Sequence, residues 1–173
     1  LDVGANLDVY GQASIGWLER QLSATLDTGI PVFSNTKGNL GGVATSLALD
    51  TQDFAFFPTR GFRVNLDHFE ALRSSSGLGK YGRLEGGLGG AWSPGDLILL
   101  GTLLGGTQTK GEVPLGDGFS LGGIGRLSAF APGQILGKDA YGFASVQAQY
   151  RLTRPLPILG LSLLAGVSYE GAT

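Results

Sequence analysis

The sequence predicts an all-β fold, an antiparallel transmembrane β-barrel or half-barrel of about eight strands with a long loop folded into its lumen. Three observations predict it. Apolar and polar residues alternate with period two, and helical spacing is not sustained over any long window. The alternating segments are about 10 to 15 residues long, which suits a membrane crossing better than the usual short strand of a soluble protein. The connections are alternately short and long, as in bacterial outer-membrane barrels.

The predicted strands follow one another along the whole chain. The fourth begins at Gly61, and over residues 62–67 apolar side chains alternate singly with charged or polar ones. The seventh, from Asp139 to Leu152, alternates in the same way, whereas the sixth is apolar on both faces. The predicted strands cover about residues 1–7, 12–26, 40–50, 61–72, 79–92, 96–107, 139–152 and 158–170.

The polar side of this pattern carries too many charges for a dry protein core. In a membrane barrel these charges face a wet lumen and the apolar side faces lipid. Trp92 and Tyr150 lie beside predicted short turns, where an aromatic girdle is expected. A soluble, lipocalin-like binding barrel is the alternative, and it would turn the apolar side inward. The polar-side residues are Arg63, Asp67, Arg83, Glu85, Gln147, Gln149 and Arg151.

Composition argues against several classes of function. The chain has 173 residues, of which 31 are glycine and none is cysteine, and its net charge is −2. The cations are scattered and form no basic stripe, so we expect no nucleic-acid partner. Without cysteine there is no disulfide framework, thiolate metal site or redox pair. The longest apolar run, 156–167, is interrupted by proline and glycine and is too short for a membrane helix.

The sequence offers no catalytic constellation. Residues 118–122 match the G-x-S-x-G pattern of serine hydrolases, but neither the buried strand nor the helix that this pattern needs surrounds them. His68 is the only histidine in the sequence and has no partner histidine or cysteine with which to hold a metal. We therefore expect no enzyme activity, no cofactor and no metal site.

Two connections have unusual sequences. In the turn of residues 50–61, proline fixes φ, glycine permits a conformation closed to other residues, and aspartates can accept hydrogen bonds from nearby backbone N–H groups. The loop of residues 108–137 is long and hydrophobic, so it is expected to be functional and to be buried in the barrel lumen. The candidate residues of the turn are Asp50, Asp53, Phe57, Pro58, Thr59, Arg60 and Gly61.

Three motifs, taken in order, carry a resemblance to a known family. They are Phe-Phe-Pro-Thr-Arg-Gly at 56–61, Leu-Gly-Gly-Ile-Gly-Arg-Leu-Ser-Ala-Phe at 121–130, and Ser-Tyr-Glu-Gly-Ala at 168–172. The order resembles the surface-antigen β-barrels of the bacterial outer-membrane assembly and two-partner secretion superfamily. It is most similar to the C-terminal barrel of patatin-like phospholipase autotransporters, which belong to type Vd secretion. The resemblance covers essentially the whole chain.

The resemblance implies a pinned loop. It places Arg126 at the tip of a loop in the lumen and pairs it with Glu170 on the wall, where the family more often has aspartate. A desolvated pair of this kind would hold the loop through bidentate hydrogen bonds. In the alternative, Arg126 is solvated and Glu170 pairs with another cation. The loop motif comprises Gly125, Arg126, Leu127, Ser128, Ala129 and Phe130, with Glu170 as its partner.

The resemblance also implies a function. Residues 1–173 would form an outer-membrane β-barrel domain, part of a longer chain, that acts as translocator or membrane anchor for an N-terminal passenger in Gram-negative bacteria. Its partners would be the lipid bilayer and the passenger or periplasmic domains of the same polypeptide. Family barrels have more strands, so this chain is either a portion of a larger barrel or one half of a barrel closed by a homodimer. A passive pore or structural barrel is the alternative function.

Overall fold

The computed structural model describes residues 2–6, 10–24, 36–75, 79–114, 117–137, 139–153 and 162–173. Within these ranges the regular secondary structure is almost entirely β-strand. The described residues contain no helix that is long and apolar enough to cross a membrane. The strands are Asp2–Asn6 (β1), Gly11–Ala24 (β2), Thr36–Asp50 (β3), Gly61–Ser74 (β4), Gly82–Trp92 (β5), Leu97–Lys110 (β6), Phe119–Leu121 (β7), Ile135–Gly137 (β8), Ala140–Arg151 (β9) and Leu164–Ala172 (β10).

One large antiparallel sheet organises the chain. Its strand order is β1-β2-β3-β4-β5-β6-β9-β10, so consecutive strands are neighbours throughout, apart from the short hairpin of β7 and β8 that lies between β6 and β9. Among the described residues the large sheet is not closed, because β1 and β10 form its two edges. The prediction of an all-β, antiparallel fold is confirmed, but the described part of this chain does not form a closed barrel by itself.

The large sheet has two chemically different faces, which we call the apolar face and the polar face. Directly paired residues share a face, so the register of β3 to β6 and of β9 assigns each side chain to one of them. The apolar face carries Leu47, Val64, Leu66, Leu88, Leu103 and Val146, and the polar face carries Ser46, Asn65, Asp67, Arg83, Glu85 and Gln147. The single-residue alternation predicted for residues 62–67 is confirmed.

The buried side chains lie on the polar face, where the connection between β6 and β9 packs against the sheet. Apart from Ile98, they form two clusters, one of Leu40, Phe69, Ala71, Tyr81 and Val113 and the other of Phe119, Leu121, Tyr141 and Phe143. The apolar face is uncovered: Val146 is 62% exposed and Val167 is 75% exposed. The chain thus builds its core beneath a loop and leaves its most hydrophobic surface free.

Strand ends differ from the prediction where a partner strand extends them. β3 begins at Thr36 rather than at residue 40, because its first residues pair with the end of β2. β6 continues to Lys110, which pairs with Gly82 at the start of β5. The connection predicted as one loop, 108–137, contains the β7–β8 hairpin. Predicted positions at 1, 7–9, 25–35, 115–116 and 154–161 lie outside the described residues.

Candidate functional site

An ionic cluster fixes the start of the loop to the polar face. Its centre is Asp117, whose carboxylate lies 2.8 Å from Arg20 Nη1 and 2.9 Å from Arg83 Nη1. The Tyr81 hydroxyl donates a hydrogen bond to the same carboxylate, and Arg83 donates a second bond to the main-chain oxygen of Asp117 at 2.6 Å. We call these four residues the Asp117 cluster. It joins β2, β5 and the loop through one carboxylate.

Aromatic rings and low exposure strengthen the Asp117 cluster. The side chains of Asp117 and Arg83 are only 13% and 14% exposed. The Arg20 guanidinium lies 4.5 Å from the centre of the Phe69 ring, and the Arg83 guanidinium lies 5.0 Å from that of Phe119. Such stacking satisfies the faces of the guanidinium groups while their edges bond to the carboxylate. Charge-assisted bonds shielded from water are the strong ones.

Beyond Asp117, the β7–β8 hairpin packs Phe119, Leu121 and Ile135 against β6 and β9. The Phe119 and Tyr141 rings are 5.3 Å apart, and Leu104 of β6 contacts the same cluster. Gly106 makes this approach possible, because a Cβ there would lie 2.6 Å from Tyr141 Cε1 and 2.8 Å from Phe119 Cε1. The docked loop also covers Leu104, one of the apolar residues on the polar face of β6.

The tip of the loop is a compact turn that contains the predicted motif. The amide of Gly125 donates to Ser128 Oγ, and Leu127 adopts a φ of 78°, in the left-handed region. This backbone path aims Ser128 at β10. Its amide and hydroxyl donate to the Glu170 carboxylate at 2.6 Å and 3.0 Å. Leu127 packs beside the aromatic cluster, whereas Ala129 and Phe130 are exposed.

Glu170 therefore contacts the loop, but through a partner different from the one expected. In the part of the chain that the structure describes, Arg126 and Glu170 form no ion pair. The Arg126 guanidinium instead lies 3.4 Å from the Tyr141 hydroxyl, to which it donates. The reason is local: the turn around Leu127 points residues 126 and 128 at different strands. The Arg126 side chain is largely exposed. Ser128, not Arg126, makes the two hydrogen bonds to the Glu170 carboxylate.

The turn between β3 and β4 is organised around Asp53. Its carboxylate accepts hydrogen bonds from the amides of Phe54, Thr59 and Arg60 and from the Thr59 hydroxyl, the last at 2.5 Å. These bonds, led by that of the Thr59 hydroxyl, lower the pKa of Asp53 from its usual 3.8 to about 2. The predicted role of an aspartate in this turn, accepting bonds from neighbouring backbone N–H groups, is what the geometry shows.

The base of the same turn is closed by a second set of contacts. Asp50 accepts from the Gln52 amide and forms an ion pair with Arg63 at 2.6 Å. Gly61 has a φ of +97°, and a Cβ at that position would lie 2.3 Å from the Thr51 carbonyl oxygen, so a larger residue does not fit. Of the remaining predicted turn residues, Pro58 is half-buried, while Phe57 and Arg60 are exposed.

Beside the seated loop, the polar face forms a groove of about 680 Å³. Its lining includes Ser14, Ser46 and Asp67 together with members of the Asp117 cluster. The lining brings hydroxyl and carboxylate groups to the groove. Among the described residues, no group of three or more His, Cys, Asp or Glu side chains is placed to hold a metal ion. Ser120, from the G-x-S-x-G match, lies exposed in β7.

Asp117 is the residue that sequence reasoning missed. A signal for it was present, since Arg20 and Arg83 both fall on the polar side of their strands and require a counter-charge.

No protein-family model matches the chain, and a search of curated proteins finds no match.

Proposed function

We propose that this chain is the membrane-spanning part of an outer-membrane β-barrel that serves as translocator or membrane anchor for a passenger polypeptide. The observation that carries the proposal is the contrast between the two faces of the sheet. One face presents uncovered Leu, Val and aromatic side chains on strand after strand, and the other carries the seated loop and most of the charges of the strands. Glu70, in the apolar register near the end of β4, is paired with Lys110.

The physical basis is the free energy that each face of the sheet would cost in the wrong solvent. Apolar surface exposed to water costs roughly 25 cal/mol per Å², and soluble monomers rarely leave large continuous patches of it uncovered. Charged groups on the lipid side of a barrel are costly as well. Lipid against the apolar face and water against the polar face removes both penalties, and the strand lengths of 11 to 15 residues in β2 to β6 are sufficient to cross a bilayer.

The open edges belong to the same proposal. Unpaired N–H and C=O groups along β1 and β10 are not tolerated in hydrocarbon, so further strands must cover them. An eight-strand barrel has an interior just filled by side chains, whereas this sheet also seats a loop on its polar face. We infer that the complete barrel has more strands, supplied by the same polypeptide or by a second copy of this chain.

The seated loop supports a role in which passage through the lumen is restricted. Hydrogen bonds of Asp117 at its start and of Ser128 at its tip hold it to the polar face. A translocator or an anchor needs a barrel that does not leak when no passenger is present. The proposed role in secretion rests on the resemblance of the three motifs to those of autotransporter barrels.

A pair of tryptophan reporters tests the proposal. Trp17 and Trp92 are replaced by Phe, and one tryptophan is introduced at Val146 or at the adjacent Gln147, which lie on opposite faces of β9. The chain is then refolded into vesicles that contain lipids brominated on the acyl chain. We expect Val146→Trp to be strongly quenched and Gln147→Trp to be spared. Equal quenching at the two positions would contradict the proposal.

A passive pore is the second candidate, and the groove of about 680 Å³ beside the loop favours it. Bilayer conductance separates the two functions. A steady open conductance that a passenger segment neither blocks nor uses supports the pore, whereas a closed state that opens only when the loop is released supports the translocator or anchor.

A further inference from the structure

A second cavity lies under the tip of the loop, between that tip, the β3–β4 turn and the polar face of the sheet. Its volume is about 320 Å³, and it shares no lining residue with the groove beside the Asp117 cluster. We call it the Glu170 cavity; its lining includes Pro58, Gly125, Ser128 and Glu170. Small-molecule sites in proteins begin at about 300 Å³, so the cavity can hold a small ligand or the end of one side chain.

The floor of the Glu170 cavity is a patch of hydroxyl and amide side chains on β9 and β10. Ser145 pairs directly with Glu170, and Gln147 pairs with Ser168, two residues before Glu170 on β10. Directly paired side chains on one face of a sheet lie about 5 Å apart, so these three polar groups surround the carboxylate. Within the described ranges none of the three hydrogen-bonds through its side chain to another residue. A ligand in the cavity would meet polar groups that such contacts leave unoccupied.

The charge of the Glu170 cavity is unbalanced. Glu170 is the only charged side chain among the described residues that line it, and it forms no ion pair with a described cation. Arg126 of the loop tip donates to Tyr141 instead. Ser128 supplies two hydrogen bonds but no charge. A half-buried carboxylate that is bonded only to neutral donors gains further from a cation.

The geometry favours an ammonium group over a guanidinium group. Each oxygen of the Glu170 carboxylate already accepts one hydrogen bond from Ser128. A planar guanidinium binds a carboxylate best through both oxygens at once, so it would have to displace both bonds. An ammonium group is a compact charge with three donors and no acceptor. It can take one carboxylate oxygen and turn its other donors to the side-chain oxygens of the cavity floor.

We propose that the Glu170 cavity binds a primary ammonium group, of a lysine in a polypeptide segment or of a free polyamine, and that this group competes with Ser128 for the Glu170 carboxylate. Occupation of the cavity then weakens the attachment of the loop tip to β10. The inference deepens the proposed function, on which its link to passage through the lumen rests, by naming the chemistry that loosens the loop.

The first test is the binding of putrescine to the chain refolded in non-ionic detergent micelles, followed by the NMR shift of the Gln147 side-chain amide. The control ligand is fully N-methylated putrescine, which keeps both charges but has no N–H donor. We expect only putrescine to bind. Glu170→Gln should weaken its binding about tenfold or more, because a charge-assisted hydrogen bond is lost. Equal binding of the two cations, or unchanged binding in Glu170→Gln, overturns the proposal.

Two variants control for indirect effects. Asp67→Asn alters a carboxylate of the separate groove and should leave putrescine binding unchanged. Ser128→Ala removes a hydroxyl that competes for Glu170 but keeps the carboxylate, so putrescine should bind about fivefold more tightly. If the cavity merely needed an ordered loop tip, Ser128→Ala would bind putrescine more weakly, and competition would be excluded.

The coupling to the loop is tested in the unaltered chain. Because linkage is reciprocal, a ligand that competes with Ser128 must loosen the bonds that Ser128 makes. We expect putrescine to accelerate hydrogen exchange of the Ser128 amide, and the N-methylated analogue to leave it unchanged. Unchanged exchange when the cavity is saturated with putrescine would overturn the coupling.

A short peptide with blocked ends and one central lysine distinguishes the two sources of the ammonium group. Its control carries glutamine in place of the lysine. Peptide binding that requires both the lysine and Glu170 assigns the cavity to a polypeptide, whereas binding of putrescine alone assigns it to a free polyamine. Binding of neither overturns the proposal. Lipid quenching of the Val146→Trp reporter does not involve the cavity, so the membrane function stands or fails separately.

Discussion

At the residue scale, Asp117 decides whether the loop is seated. Replacing it with Asn removes the carboxylate that Arg20 and Arg83 share and leaves Arg83 its ion pair with Glu85, which costs about 1 to 3 kcal/mol in this partly shielded place. We expect Asp117→Asn to release the loop and to speed trypsin cleavage after Arg126. Asp67→Asn is the matched control, because Asp67 lines the same groove on the same face. Equal cleavage rates in the two variants would show that the Asp117 cluster does not hold the loop.

Asp53 gives a prediction on pH. Its pKa is lowered to about 2 by the Thr59 hydroxyl and then by neighbouring amides, so the folded turn binds the ionised carboxylate better than the unfolded chain does. The stabilisation that ionised Asp53 gives to the turn is complete above about pH 4, which is the pKa of this carboxyl in the unfolded chain. The stabilisation is lost as the pH falls through about 2, its pKa in the folded turn. Amide exchange of Thr59 and Arg60 should accelerate in that window. In the Asp53→Asn variant these amides should already exchange fast at neutral pH, and the acceleration between about pH 4 and about pH 2 should be absent.

At the element scale, the loop tip is held to β10 by Ser128 and Glu170. Removing the carboxylate charge with Glu170→Gln weakens two hydrogen bonds, and we expect the tip to lose roughly 1 kcal/mol of its attachment. Arg126→Ala should have a smaller effect, because its one bond to Tyr141 is long and its side chain is exposed. Protection of the Ser128 amide from hydrogen exchange measures both. A larger loss of Ser128 amide protection in Arg126→Ala than in Glu170→Gln would contradict this account and would favour the Arg126–Glu170 pair that the motif suggested.

The hairpin of β7 and β8 docks on β6 only where a glycine leaves room. A methyl group at Gly106 would overlap the rings of Phe119 and Tyr141, and overpacking of this kind costs about 1 to 3 kcal/mol. We therefore expect Gly106→Ala to loosen the hairpin. Gly101, on the apolar face of the same strand, has open space at its Cβ position. Gly101→Ala is thus the control, and near-UV circular dichroism of the buried aromatic rings should change only in the Gly106 variant.

The elements could be predicted from the sequence where the signal is local. Alternation within β4 and β9 assigns both faces, because neighbouring side chains of a strand point in opposite directions. The start of β3 at Thr36 could not be predicted in this way, since its pairing with Ala24 of β2 extends it. The site was harder still. Asp117 meets Arg20 across 97 positions in sequence and Arg83 across 34, and no local pattern connects them.

At the scale of the whole molecule, the two faces and the two edges define what the chain needs from its surroundings. The apolar face needs an apolar solvent, the polar face needs water, and the edges of β1 and β10 need partner strands. These three requirements are met together in a membrane barrel with more strands than the eight of this sheet. A soluble barrel meets them only if the faces are reversed, which the loop seated on the polar face opposes.

The most direct test uses the absence of cysteine from the sequence. Single cysteines are placed at Arg63, Val64, Asn65, Leu66 and Asp67 of β4, and the chain, reconstituted in vesicles, is treated with a water-soluble maleimide. We expect positions 63, 65 and 67 to react and positions 64 and 66 to be protected, with all five reacting in denaturant. Ready reaction at 64 and 66 in the reconstituted chain would place the apolar face in water and contradict the membrane assignment.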